Sequence, residues 1–146
     1  MIRQAVIDDI PRMVGMGAEF HANTRYAGVV PWDDASFAAT LDNLMRAGRA
    51  WVYEKNGRVE GMAGALLHPM FFNARYLACQ ELFVWVNPSE RGAGMQLFDM
   101  LESWAIDQGA RIMIIAFVPG LREKALDRLY RARGYALTDS FYTKVL

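Results

Sequence analysis

The chain has 146 residues, 53% hydrophobic and 22% charged, the balance of one folded domain over 1–146 rather than of a disordered chain. Sixteen basic residues offset sixteen acidic ones, so no net field draws in nucleic acid or an anionic membrane. The single cysteine, Cys79, excludes an internal disulfide and a cysteine-based metal cluster.

In chain order, "IRQAV" at 2–6 reads as a short strand. The opening "MIRQAVIDDIPRM" lacks the apolar core of a secretion signal, which points to a cytoplasmic protein. Asp8, Asp9 and Pro11 start a helix through "IPRMVGMGAEF", since carboxylates and proline are favoured where a helix begins. Phe37, Leu41, Leu44 and Met45 fall on one face of a second helix over 34–47, stopped by Gly48. "RAWVYEKNGRVEGMAGALLH" sets Asn56-Gly57 between two strand-like runs, which predicts a hairpin. An aromatic loop, "PMFFNARY", leads to a third long strand, "LACQELFVWV", ended by Pro88. Leu97, Leu101, Trp104 and Ala105 form the stripe of a third helix closed by Gly109. "RIMIIAFV" at 111–118 reads as a buried strand, far too short to span a bilayer. "LREKALDRLYRAR" aligns Leu121, Ala125 and Leu129 on a fourth helix stopped by Gly134, and "YALTDSFYTKVL" supplies one or two closing strands. The methionines and tryptophans at helical spacing, Met13, Met45 and Trp104 among them, are core residues, and Cys79 is a buried strand residue.

This order predicts a mixed α/β (α+β) fold. Its central sheet is mixed but mostly antiparallel, with a parallel strand–helix–strand crossover and about four helices. In open sheets of this kind ligands bind at the carboxyl ends of strands, where connections diverge. The stretch "NPSERGAGMQLF", residues 87–98, occupies that place. The first turn of a helix leaves backbone N–H groups without internal partners, and its dipole adds partial positive charge. Gly92 and Gly94 keep side chains away from those donors, so the turn suits a phosphate, and Arg91 adds a charge-assisted contact. No Gly-Lys-Ser/Thr follows as in a Walker loop, and the three-glycine spacing of a dinucleotide fingerprint is absent.

Two stretches, "VWVNPSERGAGMQLFDMLESWA" and "LYRARGYALTDSFYTKVL", carry a resemblance over essentially the whole chain to the GNAT superfamily of N-acetyltransferases. The family's central motif is Gln or Arg, two residues, Gly, one residue, then Gly or Ala. Arg91 and Gly94 fill its first and fourth positions, while Gln96 stands where the small residue belongs. Tyr130, Gly134 and Tyr135 are similar to the family's terminal helix-Tyr-x-x-x-Gly-aromatic signature, without the asparagine often found early in that helix. "ELFVWVNPSERGAG" with "ESWAIDQGA" looks most like small members carried by bacteriophages and prophages.

The resemblance implies acetyl-CoA as co-substrate, with its pyrophosphate on the backbone of Arg91, Gly92, Ala93, Gly94, Met95 and Gln96. The pantetheine arm would pair with the strand residues Phe83, Val84, Trp85 and Val86. It implies direct acetyl transfer to a primary amine of a small molecule, peptide or protein, with no metal and no covalent enzyme intermediate. Such transfer needs amine deprotonation, a fixed N–H donor for the oxyanion and a proton for the leaving sulfur. Glu81 is the candidate base: it shares a strand face with Cys79, Phe83 and Trp85 unless a bulge intervenes, and desolvation makes a carboxylate a usable base. The bland alternative is a buried glutamate paired with Arg75 or Arg111. Tyr130 is the candidate acid by its place in the family signature; the alternative is a tyrosine packed on the sheet. His68 and Tyr142 are the substitutes for base and acid, and His21 ranks below them. Phe20, His21, Tyr26 and Trp32, with Phe71, Phe72 and Tyr76, are candidates for lining an acceptor cleft. The rival function is a non-catalytic acyl-CoA-binding or interaction module on the same fold. Exposed aromatics on the last strands suit a homodimer.

Overall fold

The computed structural model describes residues 1–90, 92–116 and 123–146, with Glu123 described by its backbone alone. It divides into residues 1–114 and residues 115–146, each described by itself.

The first unit holds β1 (Ile2–Gln4), α1 (Ile10–Ala22), α2 (Asp34–Arg46), β2 (Ala50–Lys55), β3 (Arg58–Met70), β4 (Asn73–Val86), α3 (Ala93–Asp107) and β5 (Ala110–Ile114). The strands lie in the order β1-β2-β3-β4-β5. Every pairing is antiparallel except β4 with β5, which is parallel as the crossover through α3 requires. The β2–β3 hairpin turns at Asn56 and Gly57, whose φ values of 52° and 74° are both in the left-handed region. That is the turn an Asn-Gly pair prefers.

The sheet is covered on both faces. On one, Met13 and Met16 of α1 and Leu41 and Leu44 of α2 pack with Val52, Met62 and Phe83. On the other, Leu97, Leu101 and Ala105 of α3 pack with Trp51, Ala63, Ala65 and Cys79. The alanines let α3 settle close to the strands, and the Trp51 and Trp104 rings meet edge to face at 5.0 Å. Each large apolar side chain buried here contributes about 1.5–3 kcal/mol. The amino terminus is tied down by charge: the Arg3 guanidinium donates twice to Asp9, at 2.8 and 2.9 Å, and once to Glu54 at 2.8 Å. Asp9 is buried and also accepts from the Val6 N–H.

The aromatic stretch 69–76 is mostly strand and not loop. β3 runs to Met70, β4 starts at Asn73, and Phe71 and Phe72 form the exposed turn. Pro69 is tolerated because β2 pairs with β3 only as far as Gly64, so no ladder needs its missing N–H. β5 ends at Ile114, short of the predicted 118; residues 117 and 118 lie outside the described residues.

The second unit contains α4 (Glu123–Ala132), ended at Gly134 with φ 87°. Leu121, expected on the apolar stripe of that helix, lies outside the described residues. The closing strands expected over 135–146 do not form among the described residues. Alternation alone does not make a strand; a ladder partner must satisfy its backbone. Here Phe141, Tyr142 and Leu146 are fully exposed.

Candidate active site

The site is built on a break in β4. Gly64 of β3 pairs with Phe83, and the next residue, Ala65, pairs with Glu81, so Leu82 is an extra residue and the strand carries a bulge. The break re-sorts the side chains. Phe83 and Trp85 lie opposite Gly64 and Met62, on the face covered by α1 and α2. Glu81 lies opposite Ala65 and shares the α3 face with Cys79. The sequence-based expectation that Glu81, Cys79, Phe83 and Trp85 share one face is therefore corrected: the extra residue reverses the alternation between Glu81 and Phe83. A Cβ on Gly64 would lie 2.5 Å from the tip of the Phe83 ring, so glycine is what lets that ring cross β3.

β5 pairs with β4 only over Leu77–Gln80. From Leu82 to Val86 the edge of β4 away from β3 has no ladder partner among the described residues. Phe83, Val84, Trp85 and Val86 thus present extended backbone on an open edge, the requirement for pairing with an amide-bearing arm. The Trp85 indole N–H is buried without a hydrogen-bond partner.

The start of α3 stands at the end of that edge. Gly92, its N-cap, has φ 106°, a conformation L side chains avoid, and as a glycine brings no side chain of its own to cap the helix. Among the described residues, chain neighbours aside, nothing lies within 4 Å of where a Gly92 Cβ would sit. Among the described residues a Cβ on Gly94 would meet only Val86 Cγ2, at 3.7 Å, an ordinary contact. Packing among the described residues therefore does not demand glycine at 94, whose backbone lies beside Val86. Ala93, Gly94, Met95 and Gln96 belong to the first turn, where N–H groups lack helical partners, although Met95 reaches Gly92 O at 3.2 Å. Arg91 lies outside the described residues.

Residues that sequence reasoning did not single out hold this junction. The Asn87 N–H donates to Glu60 O at 2.9 Å and its side-chain amide donates to the Glu60 carboxylate. Lys55 donates to both Glu90 oxygens, at 3.1 and 3.0 Å. The Glu90 contact, with Coulomb attraction, raises the Lys55 pKa. These bonds anchor the segment before α3 to the β2–β3 hairpin, so the helix start is fixed relative to the β4 edge.

The other candidates of the first unit are dispersed, and those of the second are described within it. His68 pairs opposite Ala78, three residues along β3 from the partner of Glu81, roughly 10 Å away. Its Nδ1 lies 3.1 Å from Pro69 O. Tyr130 belongs to the second unit, where its hydroxyl donates to Ala116 O at 3.5 Å and its ring lies 6.2 Å from Tyr135. Tyr142 is fully exposed. Burial pushes the Cys79 thiol up, against a smaller opposing pull from Arg49, so this thiol is not a nucleophile. Phe71, Phe72 and Tyr76 sit at or near the exposed β3–β4 turn. Phe20 packs edge to face on Trp85 at 5.9 Å. His21 and Trp32 line a separate cavity of about 340 Å³ at the α1–α2 corner, with Val30, Pro31, Asp33, Ser36, Phe37 and Thr40. Among the described residues no group of three or more His, Cys, Asp or Glu is placed to hold a metal ion. No described helix is long and apolar enough to cross a membrane.

Residues 17–135 match the acetyltransferase (GNAT) family. No curated protein matches the chain. Among solved structures, an aminoglycoside N-acetyltransferase, AAC(6')-Iy, in complex with CoA is 19% identical, with a TM-score of 0.71 over 99% of this chain and 93% of that one. An acetyltransferase from Clostridium acetobutylicum with acetyl-CoA is 18% identical, TM-score 0.74, over 99% and 94%. A ribosomal-protein-alanine N-acetyltransferase from Brucella melitensis is 24% identical, TM-score 0.72, over 92% and 83%. At these identities the likeness is one of fold.

Proposed function

We propose that this chain, which belongs to the acetyltransferase (GNAT) family, transfers an acetyl group from acetyl-CoA directly to a primary amine. One observation carries the reading: the β4 edge beyond Glu81, without a ladder partner among the described residues, leads to a helix start built of glycine, with Gly94 beside Val86. A pantetheine arm satisfies the free amides of Phe83–Val86, and a pyrophosphate satisfies the N–H donors of residues 92–96, with Arg91 adding charge. The bulge at Leu82 puts a kink where the strand leaves its parallel neighbour, so the thioester end is aimed out of the sheet beside Glu81.

In the chemistry, Glu81 removes a proton from the attacking ammonium, directly or through water. A fixed backbone N–H of the β4 edge stabilises the developing oxyanion, and Tyr130 protonates the departing thiolate. The acceptor is a small molecule or a peptide or protein amine. We further assign the chain to the small phage-type branch, as a single cytoplasmic domain able to form a homodimer.

The test is thiol release from acetyl-CoA over a panel of amines, with the product identified by mass. Free CoA and a singly acetylated amine are the expected products. CoA binding without thiol release on any amine would leave a non-catalytic acyl-CoA-binding module instead.

A further inference from the structure

The segment that leads into α3 is held by one carboxylate of β3. Gly61 pairs with Val86, the last residue of β4, and there the backbones run close. A Cβ on Gly61 would lie 2.8 Å from Val86 Cγ1 and 3.3 Å from Leu97 Cδ1 of α3. One residue further out, Glu60 meets Asn87 twice. Its carbonyl accepts the Asn87 N–H at 2.9 Å, and its carboxylate accepts the side-chain amide. Asn87 O in turn accepts the Glu90 N–H at 2.8 Å across the single 3-10 turn Pro88–Glu90. Pro88 has its φ fixed by its ring, so the segment is short and stiff, and the angle set at Asn87 passes on to the helix start at Gly92.

A bare carboxylate at this junction would repel a phosphate. Glu60 is instead faced by cations. Arg12 of α1 donates to its carboxylate from Nη2 at 3.4 Å, and is itself held by Val59 O, which accepts from Nε at 3.0 Å. Arg58 Nε stands 3.7 Å from the other oxygen. The Glu60 side chain is 17% exposed. Its bonds are therefore less screened than the Lys55–Glu90 pair, whose lysine is half-exposed. Of the two tethers on the segment, the one from Glu60 to Asn87 carries more of the orientation.

We infer that Glu60 is a positioning residue of the cofactor site: through Asn87 it sets the angle of the α3 start, and so the aim of the N–H groups of residues 92–96 at the pyrophosphate. It acts through Asn87 and not on the ligand. The inference rests on the acetyl-CoA reading of that turn.

The experiment exchanges the two partners and titrates folded protein with CoA by calorimetry, beside thermal melts and amide exchange of the CoA-free protein. Asn87→Asp sets two carboxylates against each other. It should raise the CoA Kd about tenfold, the effect of one lost charge-assisted contact, and speed exchange at residues 92–96. Adding Glu60→Gln restores a donor–acceptor pair with the roles reversed and the net charge of the parent, so Kd and exchange should both return most of the way. Asn87→Ala removes the tether without adding a charge and should also weaken CoA binding. A purely structural contact would lower the melting temperature and leave the CoA affinity of the folded protein unchanged. Parental CoA affinity in folded Asn87→Asp and Asn87→Ala, or a loss in Asn87→Asp that Glu60→Gln does not reverse, overturns the proposal. Gly94→Val tells the two readings apart. If it weakens CoA binding while the Asn87 variants do not, the Glu60 role alone falls. If it leaves CoA affinity at the parental value, the phosphate site falls and the Glu60 role with it.

Discussion

Replacing Gly94 by alanine separates a glycine kept for a ligand from one kept for packing. Among the described residues the new Cβ meets a single atom, Val86 Cγ2, at 3.7 Å, an ordinary contact that needs no shift. Position 94 lies in the first turn of α3, where alanine gains about 0.5–1 kcal/mol over glycine through lost backbone freedom in the unfolded chain. The melting temperature should therefore hold or rise by about 2–3 °C. The same methyl group stands on the backbone proposed to meet pyrophosphate. Displacing one charge-assisted N–H contact costs about 1.5–3 kcal/mol, roughly a 10- to 100-fold loss of CoA affinity. Gly94→Val, with two more carbons, should weaken binding further and give back part of the helix gain. Calorimetric titration with CoA alongside thermal melts reads both quantities on one sample. A folded Gly94→Val protein with parental CoA affinity would refute the phosphate argument.

The opposite pattern is expected at Gly64. There a Cβ would press within 2.5 Å of the buried Phe83 ring and 3.1 Å of Leu44, so Gly64→Ala should lose about 1–3 kcal/mol in a denaturant titration; parental stability would show that the ring is not confined. Glu81→Gln cannot take a proton, so kcat per CoA-saturated molecule should fall by ~10²–10⁴ and recover at high pH. Tyr130→Phe should lower turnover with CoA affinity intact, and parental rates in both variants would remove these roles. Asp9 is held below the ordinary carboxylate range by its hydrogen bonds from Arg3, with the Val6 N–H adding to the effect. A lowered folded pKa contributes stability above the unfolded value that is lost as pH falls through the folded one. Asp9→Asn should therefore cost about 2 kcal/mol near pH 7, with the gap to the parent closing only below about pH 4. A gap that is flat down to pH 2 would show that the charge is not what Asp9 contributes.

What the sequence disclosed follows from how local each signal is. Asn56-Gly57 and Gly92 are backbone-conformational requirements, fixed by the residues themselves, and all three were read correctly as a hairpin turn and a helix start. The apolar stripes of α2 and α3 are equally local, and Leu41, Leu44, Leu97 and Leu101 are all buried. The β4 bulge could be raised as a possibility but not placed. It depends on how β3 pairs across from it, and the extra residue, Leu82, carries no turn chemistry. The continuation of β3 and β4 through Pro69 and Asn73 was missed because a long hairpin overrode two residues that locally favour a loop. The α1–α2 cavity was half foreseen. His21 and Trp32 were candidates for lining an acceptor cleft, but Phe37 was read only as part of the α2 stripe, and Asp33 was not singled out.

The central claim is that acyl-CoA lies on the open edge of β4 and the start of α3. Amide hydrogen exchange with and without saturating CoA measures that directly, residue by residue. The account predicts new protection concentrated at residues 83–86 and 92–96, with the β1–β2 pairing unchanged. Protection that appears elsewhere, with those two segments exchanging as in the free protein, would contradict it.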